Sequence, residues 1–219
     1  MKRPIALFLL SMMIFPLSAQ EDKPDALAKY RSGRESESHG QVTEAAKLYN
    51  EAVEICMNEI NSGKAVIDTY VVLTWTLQRQ KKYADVIKWG GDGLKTQNDS
   101  RIIQTMGEAY FYMDNYEAAL RNMKSYIKMN PQGDRVSTSY FFIGEIYRLQ
   151  KKFHYADIAY TTAVRLEPGM ALWWYRLGLV RESLGDKNYA GDAFERALRI
   201  NPSYSSATEA LNRVRKAVI

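Results

Sequence analysis

From about residue 25 onward the apolar residues recur three and four positions apart and seldom alternate, which is the period of a helix with one buried face. Towards the C-terminus Trp174, Leu177, Gly178 and Arg181 form one such stripe, and Ala190, Phe194 and Ala197 form a second. Gly185-Asp186 lies between them and predicts a turn, so the two stripes face each other across a helix pair. Gly178 and Ala190 lack bulk where the paired backbones cross, and Trp174 and Phe194 are expected to fill the space on either side. Proline punctuates the pattern: it disfavours helical geometry in the residue before it, ending helices at Asn130, Glu167 and Asn201. Strand signals are few, and the pattern predicts an all-α chain.

The pattern repeats. Pro168 and Pro202 are 34 residues apart, and Trp174, Leu177, Gly178, Ala190, Phe194 and Ala197 before the second are matched by Tyr140, Ile143, Gly144, Ala156, Tyr160 and Ala163 before the first. An earlier copy ends at Asn130-Pro131 with Ile103, Met106, Gly107, Tyr110 and Ala119, followed by three extra residues. Two weaker copies precede it, one with Gly33, Gly40, Ala45, Tyr49 and Ala52, the other with Tyr70, Leu73, Leu77 and Tyr83 but Thr74 and Val86 at its small positions. This resembles the tetratricopeptide repeat, whose period is ~34 residues. The resemblance implies a right-handed superhelical solenoid of about five helix pairs over residues 25–202, with approximate repeats 26–59, 67–99, 100–133, 137–170 and 171–204. One pair cannot bury its apolar face alone, so stacked units share a continuous core.

Two stretches depart from the period. Residues 53–66 add about seven positions, which lengthens the second helix of copy one through Cys56 and Ile60. Gly90-Gly91-Asp92-Gly93 falls inside the second helix of copy two, where each glycine weakens a helix by ~1 kcal/mol relative to alanine, so a soft or distorted helix is expected. Beyond Pro202, Ala207, Ala210, Leu211, Val214 and Val218 share a face, and residues 205–219 read as a capping helix over the last apolar surface.

Lys2 and Arg3, an apolar run from Ile5 to about Phe15, and Ala19 before polar Gln20-Glu21-Asp22 read as a signal peptide over residues 1–19, with 20–24 a short linker. The run is shorter than the ~20 residues that span a bilayer, so no membrane span is expected after cleavage. Leu17-Ser18-Ala19 resembles the start of a bacterial lipoprotein box, but Gln20 stands where that box has cysteine. A periplasmic or secreted location follows as the expectation. Cys56 is the single cysteine, which leaves no internal disulfide, and it reads as a small buried apolar side chain. Cleavage lowers the net charge from +5 to +3, too mild and too scattered for a nucleic-acid surface.

Little chemistry is on offer. His39 and His154 are the only histidines, both at turns within repeats, and neither sits in a metal-ligand or nucleophile pattern; no cofactor, metal or catalytic activity is expected. The glycines at 90–93 lack the Gly-Lys-Ser/Thr of a phosphate loop, and Asn98-Asp99-Ser100 matches a glycosylation acceptor too short to decide anything. The first helices are more informative. Subtracting the packing stripe leaves Val71, Trp75 and Arg79 in copy two, Gln104, Glu108, Phe111 and Tyr112 in copy three, Phe141, Glu145 and Arg148 in copy four, and Tyr175, Leu179 and Glu182 in copy five. The resemblance places these on a concave surface that grips an extended peptide or a partner helix, with Trp75, Phe111, Phe141 and Tyr175 as anchors. Aromatic and arginine side chains commonly carry such interfaces. The lysine and asparagine with which the family clamps a terminal carboxylate are replaced by Tyr30 and Arg34. Two functions fit: a scaffold that binds a protein or peptide, and a structural component of an envelope assembly that self-associates.

Overall fold

A computed structural model describes residues 25–216, and every regular element among them is a helix. Five antiparallel pairs follow one another: α1 (Ala26–Ser38) with α2 (Val42–Asn61), α3 (Ile67–Arg79) with α4 (Tyr83–Thr96), α5 (Ser100–Tyr112) with α6 (Tyr116–Met129), α7 (Val136–Leu149) with α8 (Phe153–Leu166), and α9 (Ala171–Ser183) with α10 (Lys187–Ile200). A last helix, α11 (Ser205–Lys216), lies on α10. Each pair packs on the next, which makes an all-α repeat solenoid. The signal-peptide and linker segments, 1–24, and residues 217–219 at the end of the expected cap lie outside the described residues. No helix among the described residues is long and apolar enough to cross a membrane.

The turn inside each pair is the same turn five times. Gly40, Lys81, Asp114, Lys151 and Gly185 occupy one register position, and all have positive φ, between 57° and 86°. In each the following N–H reaches back to a carbonyl five residues earlier: Gln41 to Ser36 at 2.9 Å, Lys152 to Tyr147 at 2.8 Å and Asp186 to Arg181 at 2.9 Å are three of the five. This 6→1 closure satisfies carbonyls that the helix end would orphan and sends the chain back along itself.

Inside the pairs, the missing side chain of one helix receives a large one from the other. A Cβ on Gly178 would lie 2.4 Å from the Phe194 ring, one on Gly144 2.7 Å from Tyr160, and one on Gly33 2.7 Å from Tyr49. Phe194 and Tyr160 are fully buried, and burial of a side chain of that size contributes about 1.5–3 kcal/mol. Trp174 does not share this site; it packs half-buried against the α8–α9 cluster, its indole N–H donating to the Pro168 carbonyl at 2.9 Å. Copy two inverts the arrangement. Thr74 stands where its neighbours have glycine, fully buried, and Gly90 stands where they have the aromatic or Met123. Met106 and Ile102 of the next pair enter the space over Gly90, while Gly93 takes Tyr70.

The glycine run is therefore not a break, and the expected distortion is absent: α4 continues unbroken through Gly90, Gly91 and Gly93, because two of the three let α3 and α5 approach closely. The lengthened second helix is present, α2 having 20 residues against 14 in α4, α6, α8 and α10. Cys56 lies fully buried on it, and burial pushes its thiol up to about 12. Asp99 is the N-cap of α5, accepting from the Arg101 N–H at 2.8 Å. Leu211 and Val214 of α11 close over Ala190 and Phe194, the last face of the array.

Candidate partner-binding groove

The first helices of the first three pairs wall a groove of about 640 Å³. Tyr30 and Arg34 come from α1, Trp75, Gln78 and Arg79 from α3, and Arg101, Gln104, Thr105 and Glu108 from α5. The far wall is not a first helix. Tyr126 and Asn130 at the end of α6, with Asp134 and Arg135 from the turn before α7, complete it. The Tyr126 hydroxyl accepts from the Arg135 N–H at 3.1 Å, and Gly133 packs so tightly on Tyr126 and Asn130 that a Cβ there would collide with both.

Aromatic rings make the apolar part of the groove: Trp75 lies against Tyr30 with centroids 5.7 Å apart, and Tyr30 leans on Tyr49 behind it. The polar part is organised by Glu108. Its carboxylate accepts from Gln78 at 3.2 Å and from Gln104 at 2.5 Å, with Arg135 at 4.0 Å. Both amide NH₂ groups are thereby fixed, and the Gln78 carbonyl oxygen is buried with no partner. Such an acceptor is costly to leave unpaired. At the edge Arg79 holds Glu37 through Nε at 2.9 Å and Nη2 at 2.5 Å, and the Tyr49 hydroxyl donates to the same carboxylate at 2.7 Å. Burial works against the Glu37 charge, but the Arg79 and Tyr49 hydrogen bonds outweigh it and hold the carboxyl below its ordinary value. Burial and then Glu37 push the Tyr49 hydroxyl up to about 12. The lining carries four arginines, of which Arg79 is paired with Glu37, Arg101 with Asp68 and Asp99, and Arg135 with Glu108.

The other residues singled out from the sequence lie elsewhere. Val71 is buried behind Trp75, beside a second cavity of about 500 Å³. Tyr112 stacks on Tyr83 at 5.0 Å, Phe111 meets Phe142 edge-on at 5.0 Å, and Phe141 stacks on Trp173 at 5.1 Å, so these rings join one repeat to the next. Tyr175 leans on Phe194 and Tyr204, and Leu179 joins the same cluster beneath α11. Glu145 is buried and accepts from the Tyr160 hydroxyl and from Arg148 at 2.7 Å, with Arg176 of the next pair at 3.1 Å. Glu182 forms a two-pronged pair with Arg213 of the cap, 2.7 Å on each prong. The structure thus gathers Trp75, Arg79, Gln104 and Glu108 in one groove and spreads the rest along the array. Asn130 was visible in the sequence only as the helix end before Pro131, and Asp134 and Arg135 only as part of the three-residue interval after the third copy. Among the described residues no group of three or more His, Cys, Asp or Glu side chains could hold a metal ion.

Comparison with known proteins points the same way. Models of the tetratricopeptide repeat match residues 137–169 and 158–205. The human protein O-mannosyl-transferase TMTC1 is 23% identical over 176 residues, 80% of this chain but 19% of its own length. Among solved structures, the APC/C hetero-tetramer Cut9-Hcn1 superposes with a TM-score of 0.70 at 16% identity, covering 88% of this chain and 36% of that one. YrrB, described as a TPR protein with an unusual peptide-binding site, superposes at 0.57 with 16% identity, over 87% of this chain and 93% of its own. The chain spans about a fifth of the curated relative and about a third of the first structural one, and at these identities the structural likeness concerns the fold. Residues 137–205 match tetratricopeptide-repeat models, and all five helix pairs share one register and one inner turn, so the chain is built as a solenoid of tetratricopeptide-type repeats.

Proposed function

We propose that this protein is a non-catalytic adaptor of the cell envelope that holds an extended segment of a partner protein in the groove between α1, α3 and α5. A protein–protein interaction scaffold is the general role of the fold. The observation that carries the finer reading is the lining of that groove: a half-buried aromatic pair beside side-chain amides fixed by Glu108. An extended backbone supplies N–H donors at regular intervals, and Trp75 and Tyr30 offer it an apolar seat. The signal-like start of the sequence supports the envelope.

The test is site-specific photocrosslinking in the cell of origin. A photoreactive residue in place of Arg34, at the groove mouth, is expected to capture a partner, and one in place of Lys47, on the exposed face of α2, is not. Capture from position 34 should vanish with Trp75→Ala. Equal capture from both positions, or capture indifferent to Trp75, would overturn the groove.

A further inference from the structure

A second groove lies on the opposite set of helices. It runs between α8 and α10 and is floored by α9, with a volume of about 490 Å³. Arg181 of the floor ties the starts of its two walls together, bonding Asp157 at 2.9 Å and the Tyr189 carbonyl at 3.5 Å, so α8 and α10 run side by side in the same direction.

The repeat register shows what is unusual here. Ile158 faces solvent, 64% exposed, at a position where the other four copies carry Lys47, Lys88, Arg121 and Asp192. Arg196 occupies a position that elsewhere holds Glu51, Asp92, Ser125 and Thr162. Neither substitution serves the packing of the repeat, because both side chains are exposed. Tyr189 flanks the groove near the same end as Ile158, 65% exposed and over the Arg181 guanidinium. At the other end stand Arg165 and Arg196, neither with a carboxylate partner among the described residues; Arg196 lies over the Trp174 ring at 5.0 Å. On each wall an exposed apolar residue precedes an arginine by seven positions, Ile158 before Arg165 and Tyr189 before Arg196. Seven residues are two turns, about 10.5 Å along a helix.

We infer that this face is a second docking site, for an acidic amphipathic helix of a partner protein. Its apolar side meets Ile158 and Tyr189, and carboxylates two turns further on meet Arg165 and Arg196. Both like-spaced rows present the same order, so one helix laid along the groove satisfies both walls at once. In the lining Arg181 is paired with Asp157 and Glu195 with Arg199 and Arg215, which leaves Arg165 and Arg196 against Asp192. That cationic excess selects an acidic partner, and the aromatic and arginine lining supplies the residue types on which interfaces most depend. With the first groove occupied as well, the chain would bridge two proteins.

The test uses the chain from residue 20 onward and a fluorescein-labelled 18-residue helical peptide with one leucine face and glutamate elsewhere; its twin carries lysine for glutamate. The glutamate peptide is expected to bind saturably and at least tenfold more tightly than the lysine peptide. Ile158→Lys and Arg196→Glu, both at exposed positions and checked for unchanged helicity, should each weaken it tenfold or more. Arg34→Glu in the first groove should leave it unchanged, which separates failure here from failure of the groove proposed above. Indifference to Ile158→Lys and Arg196→Glu, or loss through Arg34→Glu, would overturn the site. So would absence of peptide binding together with binding to vesicles of anionic phospholipid, or with a dimer abolished by Ile158→Lys.

Discussion

Gly91 and Gly93 stand two residues apart in α4, and the structure predicts opposite consequences for the same substitution. Alanine in a helix interior gains about 1 kcal/mol over glycine wherever it fits. A Cβ on Gly91 meets nothing within 4 Å, so Gly91→Ala keeps the whole gain, a rise of roughly 2–4 °C in Tm for a chain of this size. A Cβ on Gly93 would lie 2.7 Å from Tyr70 Cβ and 2.9 Å from Cγ, with Ile102 Cδ1 at 3.0 Å. The Tyr70 Cβ is fixed to the α3 backbone, so α4 must move away from α3, and overpacking of this kind costs about 1–3 kcal/mol. Gly93→Ala therefore ends between neutral and about 2 kcal/mol destabilised once the propensity gain of about 1 kcal/mol is set against that cost. The difference between the two variants cancels propensity and leaves the contact alone. Urea and thermal unfolding followed by far-UV circular dichroism measure it. A Gly93→Ala protein as stable as Gly91→Ala would refute the account of why α4 carries glycine, and a destabilised Gly91→Ala would refute the open space beside it.

The inner turns and the Glu37 cluster give two further predictions. Lys151 holds φ at 57°, a conformation that costs an L-residue about 1–2 kcal/mol and glycine almost nothing, so Lys151→Gly should stabilise by up to about 1 kcal/mol while Gly185→Ala, at φ 86°, loses a similar amount; equal signs in the unfolding midpoints would contradict the shared turn. Tyr49 is raised from 10.0 to about 12, so the folded chain holds its proton more tightly than the unfolded one: that contribution is complete below pH 10 and disappears as pH climbs towards 12. Unfolding measured from pH 8 to 11 should show stability falling with pH, less steeply in Tyr49→Phe, and an unchanged slope in the variant would refute the assignment.

Much of the fold was legible because the determinants are local and repeated. Gly33, Gly144 and Gly178 each admit an aromatic ring sixteen residues on, and that pairing reads directly from sequence. Copy two looked weak for the opposite reason: Thr74 and Gly90 exchange the large and small roles, and the space over Gly90 is filled from Met106 and Ile102 of the following pair. A comparison confined to one period cannot show such a debt to a neighbour. The groove was half legible. In a solenoid a first helix touches its own partner, the preceding repeat and the following one, all at three- and four-residue spacings, so the periodicity that marks Trp75 as a groove residue marks Phe141 equally, although Phe141 stacks on Trp173. The far wall, with Asp134 and Arg135, belongs to an aperiodic turn fastened by Tyr126, where the repeat carries no information.

The four tryptophans offer the most direct test of the proposed groove, since Trp75 lines it, Trp174 lines the groove on the other face, and Trp89 and Trp173 line neither. Indole N–H resonances of the ¹⁵N-labelled chain, assigned through single Trp→Phe variants, should be followed while the segment captured from position 34 is added to saturation. The account predicts that the Trp75 resonance moves while that of Trp174 stays in place. Saturable binding that leaves Trp75 unmoved would contradict it.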